Sequence, residues 1–171
     1  MAAQPQPTSL EVYLSSTFDP DAEFVRGVIE ERPVGENEHS AWQQALTLWF
    51  GQHAHEWNIR VRPELRVQVL PDNFRVADIA LLDRNLPVER YATHPPIAVF
   101  EILSPEDTLA RMMTKLADYA AMGIQTILVL DPQGKHFRYR NSCLEQLTET
   151  AFDLPGSACR FDLEEIQKLL D

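Results

Sequence analysis

Two acids sit where the hydrophobic pattern calls for apolar residues. Glu101 interrupts the run Val99-Phe100-Glu101-Ile102-Leu103, and Asp78 interrupts RVADIALL at residues 75–82. A lone ionised carboxylate in an apolar interior costs several kcal/mol even after relaxation. Each acid is therefore protonated, paired, or held there for a purpose. If the two strands are neighbours, the carboxylates converge and each raises the other's pKa. A divalent cation reverses that repulsion, and hard oxygen donors suit Mg²⁺ or Mn²⁺. Pairing of each acid with a nearby arginine, Arg66 or Arg75, accounts for the same pattern equally well.

Lys115 adds a third chemical group. Thr108, Arg111 and Lys115 are spaced i, i+3, i+7 and share one face of the helix expected after the Glu101 strand. That face borders a stripe of Leu109, Met112, Met113, Leu116 and Ala120, so Lys115 can reach over the end of the sheet. A cation beside a metal–carboxylate pair suits phosphodiester hydrolysis: the metal polarises phosphate and acidifies water, and the lysine offsets transition-state charge. A solvated Lys115 pairing with Asp118 or Glu106 is the plainer alternative.

Other candidates carry less. His53 and His55 are two residues apart and on a helix point about 200° apart, which suits no single metal. HFRYRN interleaves bases and aromatics as a nucleic-acid-contacting strand can, but exposed strands share that pattern. Ser104 has no partner histidine and is expected to cap a helix. Two acids could also serve a glycoside hydrolase, a reading that the helix lysine and the small size disfavour.

The elements that must position these groups read as one α/β domain over 10–171, with residues 1–9 as a disordered polar tail. AEFVRGVIEERP (22–33) reads as a hairpin with Gly27 near its turn. Trp42, Ala45, Leu46, Trp49, Phe50 and His53 lie at helical spacing and form a buried stripe. Strands follow at 65–70 and 75–82 across Pro71-Asp72-Asn73-Phe74, then a central strand at 97–103. Ser104 as N-cap, Pro105 at N1 and Asp107 at N3 open the next helix, and Gly123 ends it. TILVLD (126–131) is expected to run parallel to 97–103 through a right-handed crossover. HFRYR and LEQLTE read as further strands and FDLEEIQKLL as a closing helix.

The 171 residues carry a net charge of −11, which argues against a protein that coats nucleic acid through a basic surface. An enzyme whose acids hold metal remains open. No stretch approaches the roughly 20 apolar residues of a membrane span, and MAAQPQPTSL has neither the basic nor the apolar region of an export signal. Cys143 and Cys159 lack motif spacing and read as buried, reduced thiols, with a disulfide the alternative. A cytoplasmic location is expected.

In Asp78, Glu101 and Lys115 the sequence resembles the PD-(D/E)xK nuclease superfamily. It is most similar to the superfamily's restriction-endonuclease-like bacterial family, often called the Uma family. The similarity runs from about Leu10 to the last helix, through AEFVRG, a helix beginning near His39, VADIALL, VFEILSP, KLADYAAMGI and Leu130-Asp131-Pro132. It implies a restriction-endonuclease-like core, a central mixed β-sheet flanked by helices. It implies Asp78 and Glu101 as metal ligands, and Lys115 as the catalytic cation replacing the lysine that the superfamily places where Leu103 stands. Glu23 and His39 match residues that line the site in that family, Glu23 as an additional or supporting ligand; their residue types alone mark neither. Tyr119 matches one turn beyond Lys115. Ala77 stands where many relatives have Pro, and Arg111 where many have Asp. The activity so implied is Mg²⁺- or Mn²⁺-dependent cleavage of DNA leaving a 5′-phosphate, with a homodimer needed to cut both strands together. A nuclease-like domain that binds DNA or protein without cutting is the alternative.

Overall fold

The computed structural model describes residues 8–170. The expected N-terminal tail lies outside these for residues 1–7. Thr8 donates its N–H to the Gly27 carbonyl at 2.9 Å, and Ser9 caps α1 (Leu10–Ser15) through Val12 N–H. The hairpin follows as β1 (Glu23–Val25) and β2 (Val28–Glu30). Arg26 and Gly27 both take positive φ at its turn, +51° and +82°, the left-handed geometry that a two-residue hairpin connection demands.

Helix α2 (Asn37–His53) buries Trp42, Ala45, Leu46 and Phe50, as the helical spacing predicts. Strands β3 (Ile59–Leu70) and β4 (Asn73–Asp83) form a long antiparallel ribbon across only Pro71-Asp72. β3 is twice the length expected because it continues through Pro63. Proline is tolerated in edge strands, and among the described residues the outer edge of β3 pairs through an isolated bridge from Val67 to Ala92. Strand β5 (Ala98–Ile102) is buried at every position. Helix α3 (Leu109–Met122) and Gly123, at φ +103°, lead to β6 (Thr126–Leu130), parallel to β5. Strands β7 (His136–Arg140) and β8 (Cys143–Gln146) complete the main sheet. A separate pair, β9 (Ala151–Asp153) and β10 (Arg160–Asp162), and the short α4 (Leu163–Gln167) close the described chain.

The start of α3 differs from the expectation. Thr108, not Ser104, is the N-cap, its side chain accepting from Arg111 N–H. Ser104 instead begins a separate turn, closed by its own N–H to Asp107 Oδ2 (2.8 Å) and by Asp107 N–H to its carbonyl (3.0 Å). That local turn competes with helix for the same residues. With the helix starting four residues later, Leu109 leaves the buried stripe and is 72% exposed. Cys143 is exposed and Cys159 buried, both as free thiols, so only one of the two expected buried thiols is buried.

The sheet runs β2-β1-β4-β5-β6-β7-β8, with β3 on the other edge of β4. Ile79, Leu81, Phe100, Ile102, Leu128 and Leu130 face α2 and α4. Ala80, Val99, Ile127 and Val129 face Met112, Leu116 and Tyr119 of α3. Alternation along a strand assigns these two layers. The fold is thus an α/β mixed sheet flanked by helices.

One feature of β4 positions everything polar. A single edge of this strand receives two others, β1 at Phe24–Phe74 and β5 from Ile79–Phe100 to Leu81–Ala98. Residues 75–78 lie between them, where the sheet forks. Buried backbone groups need partners, and at the fork side chains supply them.

Candidate functional site

The fork is filled by buried charge. Val76 N–H donates to Glu23 Oε1 (3.0 Å), and Val76 carbonyl accepts from Lys115 Nζ (2.8 Å). Lys115 is the hub: its Nζ also lies 2.6 Å from Glu101 Oε2 and 3.0 Å from Glu23 Oε1. Helix α3 places it there because Met112, Leu116 and Tyr119 seat that face on the sheet, which drives the lysine into the gap between β1 and β5. A buried ammonium needs this many acceptors, since an unpaired one would lose its proton.

Asp78 and Glu101 face each other one step beyond the Ile79–Phe100 pair, as the convergence of the two strands requires. Asp78 Oδ2 accepts from Ile102 N–H at 2.8 Å and lies 3.3 Å from His39 Nε2, which the first turn of α2 delivers. Asp78 Oδ1 accepts from Arg32 at 2.5 Å. Glu101 is held by Lys115 on one oxygen and by Tyr119 O–H on the other (2.8 Å). The structure therefore brings Glu23, His39, Asp78, Glu101 and Lys115 into one cluster. Neither Arg66 nor Arg75 pairs with the strand acids. Arg66 binds Asp21, and Arg75 binds Glu23 (2.9 Å) and Asp118 (2.6 Å).

Four members of the cluster are invisible to sequence patterning. Arg32 follows the hairpin and bridges Asp78 and Glu64. Gln43, on α2, donates to Glu64 Oε1 (2.7 Å) and to the Asp78 carbonyl (3.2 Å). Asp118 anchors Arg75. Glu64 lies on β3 between the Pro63–Ile79 and Leu65–Ala77 pairs and has φ +49°, a conformation that costs a non-glycine residue about 1–2 kcal/mol. Such strain collects at functional sites, and the one sequence signal for it is Pro63 within an apolar alternation.

The electrostatics divide the cluster. Burial alone would raise the Glu23 carboxyl, but Lys115, Arg75 and Val76 N–H outweigh it and bring its pKa down to about 2. Glu101 goes the other way. Burial and the neighbouring Asp78 charge raise its pKa to about 7 in spite of Lys115. Asp78 stays below the usual carboxylate range because His39, Lys115 and Arg32 overcome its burial. His39 is raised, its bond to Asp78 outweighing desolvation.

The cluster opens on a cleft of about 400 Å³ lined by Glu64, Asp78, Glu101, His39, Arg32 and Lys115, with Asp19, Asp21 and Asp107 nearer the rim. Its size is that of a ligand site. Acids outnumber cations there, so a polyanion is repelled unless the cleft takes up positive charge. Among the described residues no group of three or more His, Cys, Asp or Glu forms a ready-made metal cage. The Asp78–Glu101 pair supplies hard oxygen donors of the kind a divalent ion favours.

The protein is thus an α/β mixed sheet in which two strand acids meet a helix lysine in a cleft. Residues 10–151 match the model of the Uma2 family, described as "Putative restriction endonuclease", and the chain belongs to that family. Its fold is similar to that of a "putative nuclease belonging to DUF820" from Anabaena variabilis, with TM-score 0.79 and 21% identity over 96% of this chain and all of the other. A further structure, a DrdV–DNA complex, aligns with TM-score 0.41 and 19% identity over 77% of this chain and 10% of that one. None of the curated proteins matches this chain. No described helix is long and apolar enough to cross a membrane.

Proposed function

We propose that the protein is a metal-dependent endonuclease that hydrolyses DNA phosphodiester bonds. The observation that carries this reading is the convergence of Asp78, Glu101 and Lys115 at the fork of the sheet, at the floor of an acid-lined cleft. Asp78 and Glu101 would hold Mg²⁺ or Mn²⁺, which when bound acidifies water and offsets phosphate charge.

The remaining roles belong to the chain itself. Lys115, its three N–H donors taken by Glu23, Glu101 and the Val76 carbonyl, presents one positive charge at the Glu101 carboxylate, where it can stabilise charge developing on phosphate. Glu23 is better suited to holding Lys115 than to binding metal, since both its oxygens are already committed to cations or N–H donors. His39 fixes the orientation of Asp78 through Oδ2. Tyr119 holds Glu101 in place. A homodimer working in the cytoplasm would allow cleavage of both strands.

The test is nicking of supercoiled plasmid in Mg²⁺ or Mn²⁺ by wild type, Asp78→Asn, Glu101→Gln and Lys115→Met. Each substitution should lower the rate by about 10²-fold or more, the scale of losing a group that stabilises transition-state charge, with folding intact by circular dichroism. Cleavage in EDTA, or a fully active Lys115→Met, overturns the mechanism. A second reading, a domain that binds DNA without cutting, is favoured by the complete pairing of the strand acids with protein cations. It predicts DNA binding that survives Asp78→Asn and no cleavage by wild type.

A further inference from the structure

Arg32 has no place in the roles above, yet its guanidinium donates directly to Asp78 Oδ1 at 2.5 Å. Its side chain is only 10% exposed, and it bridges Asp78 Oδ1 and Glu64 Oε2. It comes from the irregular segment between β2 and α2, so no helix or strand fixes it there.

The oxygens of the two strand acids are unequally engaged. Glu101 gives one to Lys115 and one to Tyr119. Asp78 Oδ2 accepts from Ile102 N–H and faces His39. Asp78 Oδ1 has Arg32 as its hydrogen-bond donor. Of these four oxygens, Oδ1 is the one held by a cation that can leave without breaking a backbone bond or undoing the lysine hub; Glu101 Oε1 is held by the neutral Tyr119 O–H. A divalent ion on Asp78 therefore competes with the guanidinium for this oxygen.

We infer that Arg32, anchored on Glu64, is a tethered cation that occupies the Asp78 side of the divalent-ion position, and that a metal ion binds by displacing it. The inference rests on the reading of Asp78 and Glu101 as metal ligands. It assigns Arg32 a positioning role in the empty site: it neutralises the strand acids until the ion arrives. Glu64, held in left-handed geometry across from Asp78, is the other half of the latch. Once released, the guanidinium returns to the cleft as positive charge among its acidic walls.

A structural brace and a displaced placeholder predict opposite signs. Removing a brace loosens the acids and weakens metal binding. Removing a competitor tightens it: a site that Arg32 fills nine-tenths of the time binds metal about tenfold more weakly than it would if free. The experiment is calorimetric titration of Mn²⁺ into metal-free wild type, Arg32→Gln, Arg32→Lys, Arg111→Gln and Asp78→Asn, with folding followed by circular dichroism. Arg111 lines the same cleft but reaches Glu30 and the Glu31 carbonyl, so its variant measures the general effect of removing one positive charge.

Arg32→Gln should bind Mn²⁺ about tenfold more tightly than wild type and clearly more tightly than Arg111→Gln. Arg32→Lys keeps the charge but loses the two-pronged bridge, and should fall between wild type and Arg32→Gln. Should Arg32→Gln fail to fold, tighter Mn²⁺ binding by Arg32→Lys than by wild type decides alone. Affinity unchanged or reduced at Arg32, with binding lost in Asp78→Asn, overturns the displacement and leaves the metal site standing. Mn²⁺ binding that is absent throughout, or indifferent to Asp78→Asn, removes the metal reading and this inference with it.

Discussion

Glu23 and Glu101 are both buried glutamates, and both touch the ammonium of Lys115. One is driven down to about 2 and the other up to about 7. The difference lies in what surrounds each. On the β1 side of the fork, Glu23 meets two cations and a backbone N–H, and Arg75 is in turn balanced by Asp118. That side is a closed network in which each charge has its counterpart. On the β5 side, Glu101 shares its lysine with Glu23 and has the neutral Tyr119 O–H on its other oxygen, while Arg32 and His39 serve the facing Asp78. Burial and the Asp78 charge are therefore less fully offset at Glu101 than burial is at Glu23. The lesson is that one half of the cluster holds the lysine, while the other half keeps a carboxyl that resists ionisation.

Breaking the balanced half should have the largest effect. Glu23→Gln leaves Arg75 and Lys115 buried with less compensation, and removing one partner of a buried ion pair costs about 3–5 kcal/mol. Urea unfolding should show that loss as a lower midpoint with an unchanged slope. A loss below about 1 kcal/mol would show that Glu23 is not the group that makes Lys115 tolerable.

Opposite pH signatures sharpen the comparison. The folded-state pKa of Glu23 lies below its ordinary 4.5, so its contribution is present above pH 4.5 and lost as pH falls towards about 2. For Glu101 the folded-state pKa lies above 4.5. Its ionisation therefore costs stability, increasingly as pH rises from 4.5 to about 7. A shift of this size corresponds to about 3 kcal/mol at most. The stability gap between Glu101→Gln and wild type, measured without metal, should widen in favour of the variant from pH 5 to pH 8. A gap independent of pH would contradict the assignment of a carboxyl that resists ionisation to this half.

The smallest effect is expected at the rim. Asp118 is partly exposed (19%) and binds one side of Arg75, so Asp118→Asn should cost only about 1 kcal/mol, well short of Glu23→Gln. Equal losses would mean that Arg75 depends on Asp118 as much as on Glu23.

The sequence made the scaffold readable because strands and helices announce themselves by period. RVADIALL, VFEIL and TILVL could only be buried strands, and an acid within two of them stood out against that pattern. Lys115 was legible as a candidate but not as a buried hub, because helical spacing does not reveal a fork in the sheet beneath. Arg32, Gln43 and Asp118 left no mark: their partners lie 46, 35 and 43 residues away, and only the fold brings them together. The start of α3 misled because Ser104-Pro105 and Thr108 are both good opening signals. The Asp107 side chain resolves the choice by closing a turn on Ser104.

Thermal unfolding of wild type and Glu101→Gln, each in EDTA and in Mn²⁺, tests the central claim most directly. In EDTA at pH 8 the variant should be the more stable, since it has no carboxylate to bury beside Asp78. In Mn²⁺ at about 1,000 times its dissociation constant the order should reverse, because such an ion adds about 4.1 kcal/mol to a protein that retains both carboxylates. If Mn²⁺ shifts both proteins equally, or neither, Glu101 does not hold a metal ion and the account of the fork as a metal site fails.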